Sequence, residues 1–204
     1  MKLGHYYHVY AAGNWEGIVV DHFHAVRASG LMDELDFIRV GIVGPADRRV
    51  QVKDVLPFAE VVVEAEDGWE QVTLDALHLH TLKETGPAGI LYAHTKAAYQ
   101  GDPLRHTWRH SMTYDTVYNW KYAVSLLARK DAVGPFYMSS DRPEHVGHKS
   151  FFGGNFWWAT AQYLRGLPRI KREHRFQAEG WVGLNDPDVA NLRDGPPMFG
   201  NFHL

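Results

Sequence analysis

The chain has 204 residues, with 21 Lys and Arg against 24 Asp and Glu, a formal charge of -3, 45% hydrophobic and 22% charged residues, and no cysteine. This balance argues against a general nucleic-acid or other polyanion binder. The missing thiols exclude a disulfide framework and thiolate metal sites, and no apolar run reaches the roughly 20 residues a membrane helix needs. The length suits a single domain, and the opening MKLGHYYHVY lacks the apolar segment of a secretion signal, which points to the cytoplasm.

Leu3 to Tyr10 is rich in aromatics and reads as a strand, broken by AAGN. Asn14 is a candidate cap for a helix over about 15–28, where Val19, Phe23 and Val26 fall at i, i+4 and i+7 and Gly30 ends the pattern. FIRVGIVG at 37–44 and AEVVVEA at 59–65 read as strands. From Trp69 to Thr85 the positions Val72, Ala76, Leu79 and Leu82 recur with helical period, closed by Gly86-Pro87. GILYAHT at 89–95 returns to strand character. Asp102 and Pro103 then read as cap and first residue of one long helix to about Arg129, with Val117, Trp120, Val124 and Leu127 inward. VGPFYMS reads as a short strand, and Trp157, Ala161 and Leu164 as the buried phase of a last helix before Gly166. Such alternation predicts an α/β sheet flanked by helices, with ligands gathering beyond the C-terminal strand ends. The core runs over about 3–183, followed by an irregular tail at 184–204.

Four stretches could carry chemistry, each with a plain structural alternative. YAHTK ends a strand on His94 and Lys96, where an imidazole and a compact ammonium could meet a diphosphate, or simply serve a backbone hydrogen bond and solvent. SFFGGNFWWA at 150–159 combines Gly154, which tolerates close approach, Asn155, with two donors and an acceptor, and Trp157. That set suits a sugar, or an aromatic core with a bend. RFQAEGWVG holds Glu179 and Trp181, a carboxylate that could act as a general base, or an ordinary surface glutamate. Trp108 and Arg109 are either phosphate contacts or helix surface. Among 13 histidines, His106 and His110 have the i, i+4 spacing that shares an ion, but neither an HExxH nor a compact third carboxylate ligand accompanies them.

YAHTK, WR, GGNFWWA, YLRGLP and the closing Glu179-x-Trp181 together resemble small bacterial and phage glycosyltransferase-like proteins, and more distantly the rhamnan-synthesis glycosyltransferases, over roughly residues 5–183. The resemblance implies a single Rossmann-like GT-A type domain binding a nucleotide-sugar at the strand ends. Tyr10, Ala11 and Asn14 would then lie near the nucleotide, and His94, Lys96, Trp108, Arg109, Gly154, Trp157 and Trp181 near the donor. Asn155 would face the sugar, and Glu179, with Asp186 second, would be the base. YAHTK stands where many such enzymes carry Asp-x-Asp. Either the leaving diphosphate is met without metal, the more economical expectation, or a divalent Mn or Mg is held by other ligands. The acceptor, whether glycan, protein or modified base, has no sequence signature. Two rivals remain: a metal-dependent hydrolase built from the histidines, and a non-catalytic carbohydrate-binding module.

Overall fold

The first expected strand becomes the middle of the sheet. In the computed structural model, which describes residues 1–96, 98, 103–139 and 150–194, β1 (Lys2–Tyr10) pairs in parallel with β2 (Phe37–Val43), and β2 with β3 (Glu60–Ala65). On its other side β1 pairs in parallel with β4 (Ala88–His94), in the register His8 opposite His94. The sheet continues through β8 (Trp157–Thr160), antiparallel to β4, then β5 (Ala132–Gly134), and ends on β9 (Val189–Asn191). A separate hairpin joins β6 (Tyr137–Ser139) to β7 (Ser150–Phe152).

Side chains alternate across the strands, so each strand feeds two cores. Tyr7 and Val9 of β1 and Trp158 of β8 face one layer with Val19 and Phe23 of α1 (Trp15–Ala28), Val52 of α2 (Ala46–Val55), Met112 of α4 (Pro103–Thr113) and Trp120 of α5 (Trp120–Leu126). Tyr6, Tyr92 and Trp157 face the other, with Leu74 and Leu77 of α3 (Gln71–Lys83), Leu164 of α6 (Ala161–Gly166) and Ala178 of α7 (Gln177–Gly180). The two adjacent indoles are therefore core on opposite faces: Trp157 stacks on Tyr92 at 5.1 Å, and Trp158 donates to the Thr116 carbonyl at 2.8 Å.

Several elements depart from the sequence reading, each for a local reason. The segment expected to begin a helix at Trp157 is strand through Thr160, because β4 offers it a free edge; Thr160 then caps α6 by accepting from the Tyr163 N–H. The long helix is interrupted by a π-helical turn at Tyr114–Tyr118, so it is two helices rather than one. VGPFYMS splits at Phe136, whose φ of 59° turns the chain from β5 into β6. Asn14 precedes α1 but its side chain makes no capping bond. The helix α2 escaped notice because Val52 is its one buried side chain. The tail contributes β9, fastened where Arg193 grips the buried Asp115 through two bonds of 2.7 and 2.9 Å. Asp102, the expected cap of α4, lies outside the described residues, as do 195–204.

After α7 a short 3-10 turn, Trp181–Gly183, runs against β7. A Cβ on Gly183 would stand 1.8 Å from the Ser150 carbonyl oxygen, which is backbone and cannot rotate away. Gly183→Ala should cost about 3 kcal/mol, the upper range of overpacking, read as a shift of the urea midpoint at unchanged slope.

Candidate functional site

The C-terminal ends of β1 and β4 are tied together: Thr95 Oγ1 accepts from the Tyr10 N–H at 2.8 Å, and the Thr95 N–H donates to the His8 carbonyl at 3.0 Å. Beyond them opens a cleft of 360 Å³ lined by His8, Tyr10, Asp67, Gly68, Trp69, Glu70, His94, Thr95, Lys96, Ala98, Arg105, Arg175, Phe176 and Glu179. It lies where the sheet ends stop and the loops before α3 and α7 converge, the usual ligand position of such a sheet.

Lys96 is held from three sides. Its Nζ lies 4.2 Å from the centre of the Trp108 ring and 3.5 Å from Glu179 Oε1. From behind, Arg109 Nη1 donates to the Lys96 carbonyl at 3.2 Å. His94 is buried beside it. Burial, and then the Lys96 charge, lower its pKa to about 3, against the pull of the Gly154 carbonyl and Glu179. The ring donates from Nε2 to the Gly154 carbonyl at 3.0 Å, and its Nδ1 lies 3.3 Å from Glu70 Oε1. The other Glu70 oxygen accepts from Asn155 Nδ2 at 2.5 Å.

Asn155 is wholly buried, and its amide is occupied by the protein. Its Oδ1 accepts from Trp157 Nε1 at 2.7 Å, while Nδ2 also reaches the Ala178 carbonyl at 3.4 Å. This corrects the expectation that Asn155 contacts a sugar: it orients Glu70. Gly154 beside it has φ 91°, and a Cβ there would meet Met112 Sδ at 2.5 Å.

The other expected residues divide. Tyr10, His94, Lys96 and Glu179 meet in the cleft. Trp157 and Trp181 do not; both are core, Trp157 on Tyr92 and Trp181 edge-on to His78 with its Nε1 on the Pro168 carbonyl. Ala11 is buried, bonded to the Val43 carbonyl, and Asn14 stands outside the cleft lining. Trp108 and Arg109 support Lys96 rather than reach the cleft themselves. Asp186, at φ 48°, sits exposed in the turn after Gly183, away from the cleft. Sequence reasoning missed Trp69, whose half-exposed indole borders the cleft, and Glu70, Arg105 and Arg175. A tryptophan just ahead of α3 was the available signal.

The end of β4 holds His94, Thr95 and Lys96, and an ammonium there repels a cation. Among the described residues no three His, Asp or Glu ligand atoms converge in the cleft.

No protein-family model and no curated protein matches the chain. Among solved structures, a Desulfovibrio desulfuricans protein provisionally described as a nucleotide-diphospho-sugar transferase aligns with 95% of this chain and 81% of its own, at 12% identity and a TM-score of 0.50. A 4-diphosphocytidyl-2C-methyl-D-erythritol synthase of Anaerococcus prevotii aligns with 94% of this chain and 87% of its own, at 12% identity and TM-score 0.47. A Mycobacterium tuberculosis protein solved in complex with manganese aligns with 95% and 89%, also at 12% and 0.47. The first likeness shows the fold, a mainly parallel α/β sheet flanked by helices, as expected from the sequence. No helix among the described residues is long and apolar enough to cross a membrane.

Two predictions follow from this geometry. Asn155→Ala leaves the Trp157 N–H and the Glu70 carboxylate without their partner, so it should destabilise the fold by about 3 kcal/mol, measured by urea denaturation. The second concerns pH. Burial lowers the pKa values of His5 and His8 to about 4 and of His94 to about 3, and pushes His22 well below its ordinary value. The unfolded chain binds these protons near pH 6.5, so stability is full above pH 6.5 and falls as pH drops through the window toward 4. Calorimetry at pH 5 should show unfolding taking up roughly three to four protons.

Proposed function

We propose that the protein is a glycosyltransferase that takes a sugar from a nucleotide-sugar donor bound in the cleft at the ends of β1 and β4. The observation that supports this most directly is the seating of Lys96, a cation braced by Trp108, Glu179 and Arg109 at the end of β4. A fixed positive group at that position suits a leaving diphosphate, because charge accumulates there as the bond to the sugar breaks and a preorganised ammonium needs no rearrangement to meet it. Arg105 and Arg175 line the same cleft and extend the positive wall. Trp69 offers a face on which a base or sugar ring can stack.

In this reading the acceptor hydroxyl oxygen attacks the anomeric carbon, the carbon–oxygen bond to the diphosphate breaks, and the nucleoside diphosphate leaves with the bonding electron pair. Glu179 takes the hydroxyl proton. Its place 3.5 Å from Lys96 sets base and leaving-group cation side by side. Glu70 and His94 shape the floor, with Asn155 positioning Glu70. Charge neutralisation is assigned to protein cations, and no step requires a metal. The same unit, core and tail together, is proposed to act as one domain.

Melting curves with UDP, GDP, dTDP and CMP and their sugars, each with EDTA, test the reading: one nucleotide family should raise the melting temperature. Lys96→Met should weaken that ligand at least about tenfold, whereas Glu179→Gln should keep binding and slow turnover about 10²- to 10⁴-fold. Absence of any shift, or release of pyrophosphate from a nucleoside triphosphate in place of sugar transfer, would overturn it.

A further inference from the structure

We infer that Asp21 of α1 and His106 and His110 of α4 form a binding site for one divalent transition-metal ion, outside the cleft and independent of its reading. Each residue offers one ligand atom, and the three atoms lie within 4.8 Å of one another. The two imidazoles are one helical turn apart, with ring centroids at 4.4 Å, the spacing at which neighbouring histidines share an ion. The third ligand comes from a different helix.

Two nitrogens and one carboxylate suit zinc, nickel, cobalt or iron(II); magnesium and calcium call for oxygen ligands. All three side chains are exposed, so they reach an ion without desolvation of the protein, and water completes the coordination. A hollow of 150 Å³ beside them is lined by Asp21, His24, Arg109, His110 and Thr113.

The charged groups facing the site define what binding does. Arg109 is the adverse cation: its Nη2 lies 3.8 Å from Asp21 Oδ2 and makes no hydrogen bond, while Nη1 holds the Lys96 carbonyl. An ion that takes the Asp21 carboxylate pins α4 to α1 and withdraws the counter-charge of Arg109.

Titration calorimetry of the full chain with Zn²⁺, with Co²⁺ absorption as a second readout, tests the assignment. One equivalent should bind in the micromolar range near pH 7.5 and more weakly at pH 6, where protons compete for the imidazoles. Asp21→Asn should weaken binding at least about tenfold, the His106→Ala/His110→Ala double variant should abolish it, and His24→Ala should leave it unchanged. Circular dichroism in EDTA should show each variant folded, as befits exposed positions. Equal affinity in the double variant and the parent, or no binding at about 100 µM ion, would overturn the site.

Discussion

The buried amide of Asn155 is the joint on which the cleft depends. It stands at φ 58°, in the left-handed region, between the hairpin and β8. From there one side chain reaches Glu70 before α3, the Ala178 carbonyl in α7 and the Trp157 indole at the head of β8. Asparagine is among the few residues that accept this backbone conformation at low cost, and it is the one whose carbonyl and amide ends satisfy a donor and acceptors at once. A polar group this deep is costly unless every partner is present, so the three elements must arrive together.

The cleft is built from opposed charges rather than from a basic patch. Lys96, Arg105 and Arg175 share its wall with Asp67, Glu70 and Glu179. Of these, Lys96 and Glu179 face each other directly, at 3.5 Å. A net charge of -3 over the whole chain is consistent with recognition confined to a small surface.

The parallel half of the sheet was legible because its strands are long apolar runs and the intervening helices show clean stops; β1, α1, β2, β3, α3 and β4 match the expectation within a residue or two. The C-terminal half was not. β8 is only Trp157–Thr160, and its apolar residues run straight into α6, so the helical phase of Ala161 and Leu164 extended the pattern backward over a strand. The cleft was half legible. Lys96, His94, Tyr10 and Glu179 stand out as polar groups at element ends, whereas Trp157 and Trp181 read as ligand platforms only because a sequence does not show which aromatic is already stacked on Tyr92 or seated against His78. Trp69 looked like the start of an apolar stripe, and its exposure emerges from the turn at Gly68.

The strand order β4-β8-β5-β9 carries a consequence for how the chain is made. The parallel half can assemble from neighbouring segments as they leave the ribosome, but the edge of β4 has to wait for β8, and β5 acquires its outer neighbour only when residues 189–191 emerge. Pairings between distant segments are slow to form, and an unpaired edge is open to wrong partners in the meantime. The aromatic side chains of 150–159 reach the sheet only after its parallel half has been made, so until then the half-made chain exposes Tyr92 and its neighbours.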